Sequence, residues 1–263
     1  MATAVVRPVN NDIYEALGER WYSADDDPVA LLRAESRLRN PWVCARLRDR
    51  WNEGARVLDV GCGAGFLSNY LARQGFAVTG LDASKESLAV AARHDETGRV
   101  VYQDGDALAL PYANESFDAV CAMDFLEHVE DAASVVQECA RVLRPGGLFF
   151  FHTFNRNPLA WLVVIKGLEW FVKNTPRDMH VLRLFIKPSE LGRFCHDSGL
   201  EVAELRGSKP VIFATSFWKM LASGVVPPDF RFEFSPSTLL AYTGFAERRR
   251  EPFVEASEPF GAQ

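Results

Sequence analysis

The chain has 263 residues, nearly half of them apolar, which is enough to bury the core of one large α/β domain. Its formal net charge of −6 argues against a sequence-independent grip on nucleic acid, which needs clustered Lys and Arg. Five scattered cysteines without a C-x-x-C pair fit a reducing compartment, and the opening residues show no secretory signal, so we expect a cytoplasmic protein.

Helices are predicted ahead of the core. One stretch covers 11–21, and a longer one covers 28–51 with an interruption near Pro41. The acidic run Asp25-Asp26-Asp27 separates the two. We therefore expect a helical cap over 1–54.

The middle of the chain alternates apolar strands with amphipathic segments from residue 57 to 151, a pattern that yields parallel strands joined by helices. A strand-helix unit over 187–206 and a last strand over 239–248 are predicted to complete the sheet. This assigns one α/β domain to 55–250 and a frayed tail to 251–263.

The segment VLDVGCGAGFLS (57–68) joins a buried strand to a helix through a glycine loop. Gly61, Gly63 and Gly65 have no Cβ atoms, so a ligand is expected to lie against this backbone. The spacing G-x-G-x-G differs from the G-x-G-x-x-G of dinucleotide sites, and Asp59 would repel a pyrophosphate. The same carboxylate would attract an ammonium or sulfonium group, which predicts a cationic ligand.

Acidic residues also end the next two predicted strands. Asp82 lies roughly 20 residues after the glycine loop, where an acid usually holds a ribose diol. Asp104 or Asp106 would then be placed to accept a hydrogen bond from an adenine amino group. The alternative for each acid is a helix N-cap, a position that Asp favours.

These residues resemble the class I S-adenosylmethionine-dependent methyltransferases, whose first motif has the form E/D-x-G-x-G-x-G. More narrowly, MDFLEHV (123–129), FFFHTFNRN (149–157) and FIKPSEL (185–191) look like the ubiquinone-biosynthesis O-methyltransferases, which methylate a hydroxyl of a polyprenylated catechol or phenol. The resemblance runs from about residue 11 to 248. It implies a Rossmann-like α/β fold with a seven-stranded, mostly parallel sheet, helices on both faces, N-terminal helices and a helical insertion after the fifth strand.

The resemblance adds two cofactor contacts to those read from the loop. Arg39 matches an arginine beside the methionine carboxylate, a group that suits a guanidinium fork, although a solvated helix charge is the alternative. Met123 matches a residue packed near the cofactor, although a lone Met usually fills a core gap. The predicted S-adenosylmethionine site therefore comprises Arg39, Asp59, Gly61, Gly63, Gly65, Asp82, Asp106 and Met123.

Asp124, Glu127 and His128 are the candidate metal ligands. If Asp124 opens a helical turn, spacings of three and four put the side chains on one side, where they would share one Mg²⁺. The family has Glu at the position of Asp124, so this chain keeps the charge with one methylene fewer. In the alternative reading Asp124 caps a helix while Glu127 and His128 line the pocket.

Catalysis requires alignment of the acceptor oxygen with the methyl-sulfur bond and removal of a phenolic proton. His128 is the first choice for metal ligand or base. His152 and His180 are alternates. His152 replaces a residue that is small in the family, so it would instead narrow the pocket.

The segment over 157–173 is apolar on most of its helical surface, but about 14 apolar residues are too few to span a bilayer. Lys166, Glu169 and Lys173 share one narrow stripe, whereas Trp161 and Trp170 lie on the apolar side. An insertion over 157–186 would either close the pocket as a lid or lie in a lipid interface, giving peripheral contact with the inner membrane surface.

The leading prediction is thus an S-adenosylmethionine-dependent methyltransferase that acts on a catechol or phenol hydroxyl of a polyprenyl quinone precursor. A methyltransferase for a soluble metabolite is the first alternative. A nicotinamide-dependent oxidoreductase and a non-catalytic cofactor-binding regulator are further alternatives from other classes. The predicted partners are a small aromatic substrate and membrane lipid, without nucleic acid, and the oligomeric state is left open.

Overall fold

The region ahead of the sheet is helical. In the structure, a computed structural model that describes residues 11–250, a 3₁₀ turn (Asp12–Tyr14) precedes α1 (Arg20–Ser23) and α2 (Pro28–Arg48). The carboxylate of Asp27 accepts from the Val29 amide at 3.1 Å and caps α2. The tail over 251–263 and the first ten residues of the predicted cap lie outside the described residues.

Two helical predictions for this region are corrected. The helix expected over 11–21 is a 3₁₀ turn followed by the short α1. The break expected near Pro41 does not interrupt α2, which runs through the proline because Trp42, Val43 and Leu47 are held in the core on the next two turns. The packing of these side chains outweighs the loss of the helical hydrogen bond that Pro41 cannot donate.

Parallel strands and helices alternate from residue 56 to 154, as the apolar pattern predicts. The elements are β1 (Arg56–Val60), α3 (Phe66–Arg73), β2 (Ala77–Asp82), α4 (Lys85–Arg93), β3 (Val101–Asp104), β4 (Phe117–Met123), α5 (Ala132–Val142) and β5 (Leu143–Phe154). A 3₁₀ turn (Leu126–His128) follows β4.

The rest of the chain supplies an insertion and the antiparallel edge of the sheet. The insertion holds α6 (Pro158–Ala160), a π-helical turn (Trp161–Lys166), α7 (Gly167–Phe171) and a 3₁₀ turn (Leu182–Leu184). It is followed by α8 (Pro188–Asp197), β6 (Leu200–Pro210), α9 (Thr215–Ser223), β7 (Phe232–Ser235) and β8 (Ala241–Arg248).

The strands form one sheet in the order β3-β2-β1-β4-β5-β8-β6-β7. The pairs among β1 to β5 are parallel, and β8 runs antiparallel to both β5 and β6. The mostly parallel α/β sheet is confirmed. It has eight strands rather than seven because β7, four residues long, adds to the outer edge along the end of β6.

The core lies on both faces of the sheet. Leu58, Val120 and Phe149 pack against α5 and α8 on one face, whereas Val57, Cys121 and Phe150 pack against α2 and α3 on the other. Such near-continuous apolar strands are expected when helices cover both faces. The arrangement leaves the carboxyl ends of β1, β2 and β4 as the open edge where ligands bind in such sheets.

Candidate active site

A cavity of about 790 Å³ opens at the carboxyl ends of β1, β2 and β4. Its walls include Gly61, Asp82 and Asp124, each of which lies just after or at the end of one of these strands. Large parts of the remaining wall come from α2, from the insertion and from α9. The cavity therefore joins the predicted cofactor loop to the helices at the far edge of the sheet.

The glycine loop requires its glycines. Gly61, Gly63 and Gly65 have φ angles of 68°, 51° and 77°, in the left-handed region. A Cβ on Gly61 would lie 2.1 Å from Cδ2 of Phe125. Gly61 and Gly63 line the cavity, whereas Gly65 is the N-cap of α3, where a Cβ would meet the hydroxyl of Tyr102.

Asp59 lies at the cavity wall, buried and hydrogen-bonded. Its Oδ2 accepts from the Ser68 hydroxyl at 2.6 Å. Burial, with a smaller contribution from the nearby Asp82 carboxylate, raises the pKa of Asp59 to about 7, and the Ser68 hydrogen bond opposes this rise. A cationic ligand would relieve this penalty, which agrees with the charge predicted for the ligand.

Asp82 fixes the glycine loop to β2. Its two carboxylate oxygens accept from the amides of Gly63 at 2.8 Å and Ser84 at 2.9 Å. Burial raises the pKa of Asp82, and these amide bonds oppose the rise. Since each carboxylate oxygen has a second lone pair and the residue lines the cavity, Asp82 can accept hydrogen bonds from a ligand diol.

The structure does not bring Asp104 or Asp106 to this wall. Asp104 is exposed and lies 3.5 Å from Nζ of Lys85. Asp106 is exposed and accepts from the Leu108 amide at 2.8 Å, closing its own turn. The wall beside Asp82 is formed instead by Ala83, Ser84 and Ser87.

Arg39 lies under the cavity, only 1% exposed, and pairs with Asp124. Nη1 of Arg39 donates to Oδ1 of Asp124 at 2.8 Å, and Nη2 donates to Oδ2. Burial alone would raise the pKa of Asp124, but the charge and hydrogen bonds of Arg39 hold it below its usual value. Asp124 is therefore a carboxylate committed to a guanidinium.

The backbone directs Asp124 towards Arg39. Asp124 has a left-handed φ of 57°, and the 3₁₀ turn begins only at Leu126. The single helical turn assumed for Asp124, Glu127 and His128 is thus replaced by a sharp bend. Two separate clusters result: Asp124 lies with Glu35 and His152, whereas Glu127 and His128 lie with His180.

His152 is fully buried behind the cavity wall. Its Nε2 lies 3.5 Å from Oδ1 of Asp124 and 3.7 Å from Oε1 of Glu35, and both of these acids line the cavity. Burial lowers the pKa of His152. The imidazole is thus screened from a ligand by two carboxylates.

Glu35 was missed by the sequence reasoning. It accepts from the Ser208 hydroxyl at 2.6 Å and lies one helical turn before Arg39 on α2. The available signal was the i, i+4 spacing of an acid and an arginine on one helix, both of them buried.

His128 and His180 both line the cavity and their ring centroids lie 5.2 Å apart. Burial lowers the pKa of His128 to about 4 and that of His180 to about 3, so both imidazoles are neutral at pH 7. Tyr14, also missed from sequence, places its hydroxyl 3.4 Å from Nε2 of His128. Asn11 holds the His128 carbonyl at 3.0 Å, so the N-terminal segment closes over this histidine.

Glu127 is fully buried next to these histidines. Neither carboxylate oxygen has a partner in hydrogen-bonding geometry among the described residues. Burial, followed by the charge of Asp124, raises the pKa of Glu127 to about 8, while the nearby Thr153 hydroxyl opposes the rise.

Comparisons with known proteins identify the chain as a methyltransferase. The family described as methyltransferase domain matches residues 58–151. The ubiquinone biosynthesis O-methyltransferase of Pseudomonas putida is 42% identical over 197 residues, covering 74% of this chain and 83% of that protein. The protein of the same description from Aromatoleum aromaticum is 41% identical over 204 residues, covering 76% and 85%.

Solved structures share the fold at lower identity. The magnesium protoporphyrin IX methyltransferase of Synechocystis, with bound SAH, has a TM-score of 0.62 at 20% identity and covers 90% of this chain and 97% of its own. A methyltransferase from Bacillus halodurans has a TM-score of 0.57 at 21% identity, covering 78% and 98%.

Proposed function

Because the chain belongs to the ubiquinone biosynthesis O-methyltransferase family and is an S-adenosylmethionine-dependent methyltransferase, we propose that it methylates a hydroxyl of a catechol or phenol that carries a polyprenyl chain. The cavity carries this proposal, because its two ends differ in chemistry. Asp59 and Asp82 line one end, and the other end is apolar.

The acidic end suits the donor. In the proposal Asp59 attracts the cationic methionyl part, Asp82 accepts from the ribose hydroxyls, and Gly61 and Gly63 let the donor lie against the backbone. Arg39 holds the methionine carboxylate, for which Nε, buried and without a partner among the described residues, is an available donor. The remaining proposed contacts are Met123, which lines the cavity, and Gly65, which shapes the loop. Asp106 is not among them, because its carboxylate accepts from the Leu108 amide outside the cavity.

The apolar end suits a prenyl chain. Leu168 and Val172 of the insertion region face α9 residues Phe217 and Met220, with Phe230 beside them. All five line the cavity. At about 0.8 kcal/mol per buried CH₂, even one isoprene unit adds more affinity than a hydrogen bond.

The proposed reaction is a direct displacement. The acceptor oxygen attacks the methyl carbon, the carbon-sulfur bond breaks and its electron pair remains on sulfur, leaving a neutral thioether. The phenolic proton passes to a neutral imidazole, His128 first and His180 second, because both line the cavity. His152 acts as a base only through Asp124 or Glu35, which screen it.

The expected Mg²⁺ on Asp124, Glu127 and His128 does not fit this geometry. Mg²⁺ prefers carboxylate oxygens in a near-ideal octahedron. Asp124 is engaged by Arg39, and the remaining acid, Glu127, is grouped with two imidazoles and no second carboxylate as candidate ligands. The proposed reaction therefore includes no step through Mg²⁺.

Peripheral contact with membrane lipid is the second part of the proposal. Within 11–250 the structure has no helix long and apolar enough to cross a bilayer. The insertion instead exposes Trp161 and Trp170, the latter 62% exposed, while Leu168 faces the cavity. In this proposal the insertion has both roles that the sequence suggested: Leu168 and Trp170 line the pocket, and the exposed parts of Trp161 and Trp170 contact lipid.

A mass-spectrometric methylation assay tests the proposal. A prenylated catechol, the same catechol without its chain and a soluble thiol are compared as acceptors. The prenylated compound is expected to have a kcat/KM at least about tenfold higher. Equal rates with a soluble acceptor would favour the alternative, a methyltransferase for a soluble metabolite.

A pair of variants locates the chain-binding end. Met220→Trp fills the apolar end and should raise KM for the prenylated acceptor only. Leu108→Trp, on the exposed turn after β3, is the matched control and should leave KM unchanged for both acceptors.

A further inference from the structure

We propose that Glu35 selects the methyl acceptor by accepting a hydrogen bond from a second hydroxyl, next to the one that reacts. This inference rests on the proposed function and narrows its substrate class from a catechol or phenol to a catechol. Glu35 is thus a specificity-determining residue and takes no part in the methyl transfer itself.

Glu35 lies between the two ends of the cavity. On α2, Leu31, Glu35 and Arg39 follow one another at intervals of four residues, which places them on one face of the helix about 6 Å apart along its axis. All three line the cavity. Leu31 packs with Met220 and Phe230 at the apolar end, whereas Arg39 is the residue proposed for the donor carboxylate. An acceptor with its chain in the apolar end and its ring at the donor methyl group therefore lies beside Glu35.

The protein uses only one carboxylate oxygen of Glu35. Oε1 accepts from the Ser208 hydroxyl at 2.6 Å, and among the described residues no donor is bound to Oε2. The Glu35 side chain is 8% exposed and lines the cavity. A nearly buried carboxylate with open lone pairs is stabilised by a ligand hydroxyl that donates to it.

The imidazole behind Glu35 also has unpartnered polar atoms. His152 is 0% exposed, and neither of its ring nitrogens has a hydrogen-bond partner in the part of the chain that the structure describes. Its Nε2 lies 3.7 Å from Oε1 of Glu35 and 3.5 Å from Oδ1 of Asp124, at the limit of hydrogen-bond distance. A small shift would let Nε2–H donate to Oε1, which would hold the carboxylate in place and leave Oε2 to the ligand.

The charges on this wall determine which group Glu35 accepts. Both Nη atoms of Arg39 donate to Asp124 and not to Glu35, although Glu35 lies on the same helix. A carboxylate on the acceptor ring would be repelled by Glu35, whereas a hydroxyl can donate to it. The favoured acceptor thus carries a second hydroxyl at this point of the ring.

Two anchors fix the orientation of the acceptor ring. The chain is held in the apolar end, and one hydroxyl is held by Glu35. Only the neighbouring hydroxyl is then directed at the donor methyl group, so a single O-methylated isomer is expected.

Acceptor binding to the unmodified protein in complex with S-adenosylhomocysteine tests the selection without turnover. Calorimetry compares a prenylated catechol with the same compound lacking its second hydroxyl. The catechol is expected to bind at least about tenfold more tightly, because hydrogen bonds to charged groups contribute that much or more. Equal affinities, or equal kcat/KM values for the two acceptors, would overturn the inference and leave the proposed function standing.

Glu35→Met removes the hydrogen-bond acceptor and keeps the length of the side chain. The preference for the catechol should fall below about threefold, while binding of S-adenosylhomocysteine alone is unchanged. Methylation by this variant should give both O-methyl isomers, a change that a purely structural role of Glu35 would not produce. Ser36→Ala is the matched control, because Ser36 also lines the cavity from α2 but donates its hydroxyl to the Leu32 carbonyl at 2.8 Å.

Ser36→Ala should keep the catechol preference and the single isomer. A preference that persists in Glu35→Met, or that is lost equally in Ser36→Ala, would overturn the role of Glu35. Binding of both prenylated compounds without methylation of either would instead count against the proposed function alone.

Discussion

Arg39 and Asp124 form a two-point hydrogen-bonded ion pair beneath the cavity, although 85 residues separate them in the chain. The pair fixes α2 to the bend after β4, so it connects the helical region ahead of the sheet with the carboxyl edge of the strands. It also holds the guanidinium that we propose for the donor carboxylate. A donor molecule must then either share Arg39 with Asp124 or replace it.

Asp124→Asn is expected to lower the free energy of unfolding by about 3 kcal/mol, because the change leaves a buried guanidinium without its main counter-charge. Denaturant titration measures the loss. Asp26→Asn is the control, since the Asp26 pair with Arg20 is exposed and should be worth less than about 1 kcal/mol. Equal losses in the two variants would mean that Glu35 alone compensates Arg39.

Donor binding is expected to release protons at neutral pH. The Asp59 carboxyl has its pKa raised to about 7 by burial, so roughly half of the molecules are protonated there at pH 7. A sulfonium nearby lowers that pKa, so binding at pH 7 should release roughly half a proton, falling towards zero at pH 9. Calorimetry in buffers of different ionisation enthalpy measures the release.

S-Adenosylhomocysteine, which lacks the sulfonium charge, is the matched ligand for that measurement and should release fewer protons. Asp59→Asn should abolish the release. The same variant should also remove a pH dependence of stability. Because the pKa of Asp59 is higher in the folded protein, its contribution to the free energy of unfolding falls as pH rises from the unfolded value of 3.8 to about 7. Buffer-independent binding enthalpies would contradict the assignment of this titration to Asp59.

Gly61→Ala and Gly98→Ala separate backbone strain from steric conflict. Both glycines have a left-handed φ, 68° and 60°, but a Cβ would meet Phe125 at 2.1 Å at Gly61 and nothing within 4 Å at Gly98. Gly98→Ala should cost about 1–2 kcal/mol of stability and leave affinity for S-adenosylhomocysteine unchanged. Gly61→Ala should cost at least a further 1 kcal/mol and weaken that affinity more than tenfold. Similar affinities in the two variants would show that Phe125 adjusts freely.

The cofactor loop was predictable from sequence because its geometry is local. Asp59, the glycines and the helix that follows lie within one strand-loop-helix unit, so the spacing of these residues alone determines which of them lie close together. Asp82 comes from the neighbouring strand, whose register on β1 follows from the parallel pairing. Asp106 shows the limit of this reasoning, because a turn of two residues directs its carboxylate to its own backbone.

The two acid-histidine clusters beside the cavity were not predictable in the same way. The spacing of Asp124, Glu127 and His128 indicates one helical face only if the backbone is helical, and a left-handed Asp124 removes that condition. The actual partner of Asp124 is Arg39 on α2. His180, which lies beside Glu127 and His128, comes from the insertion. Contacts between distant segments depend on tertiary packing that residue spacing does not encode. The added strand β7 escaped prediction because FEFS is short and only half-buried.

The surface proposed for lipid contact is wider than the insertion. Phe213 and Trp218 at α9 are 93% and 62% exposed, and α9 packs on α7, which carries Trp170. Trp170→Asp and Trp218→Asp should each reduce co-sedimentation with anionic liposomes, since aromatic side chains at the headgroup level anchor interfacial proteins. Val101→Asp, equally exposed but on β3 at the opposite edge of the sheet, is the control and should bind as the unmodified protein does. Loss caused by Trp170→Asp alone would confine the contact to the insertion, and no binding by the unmodified chain would reject it.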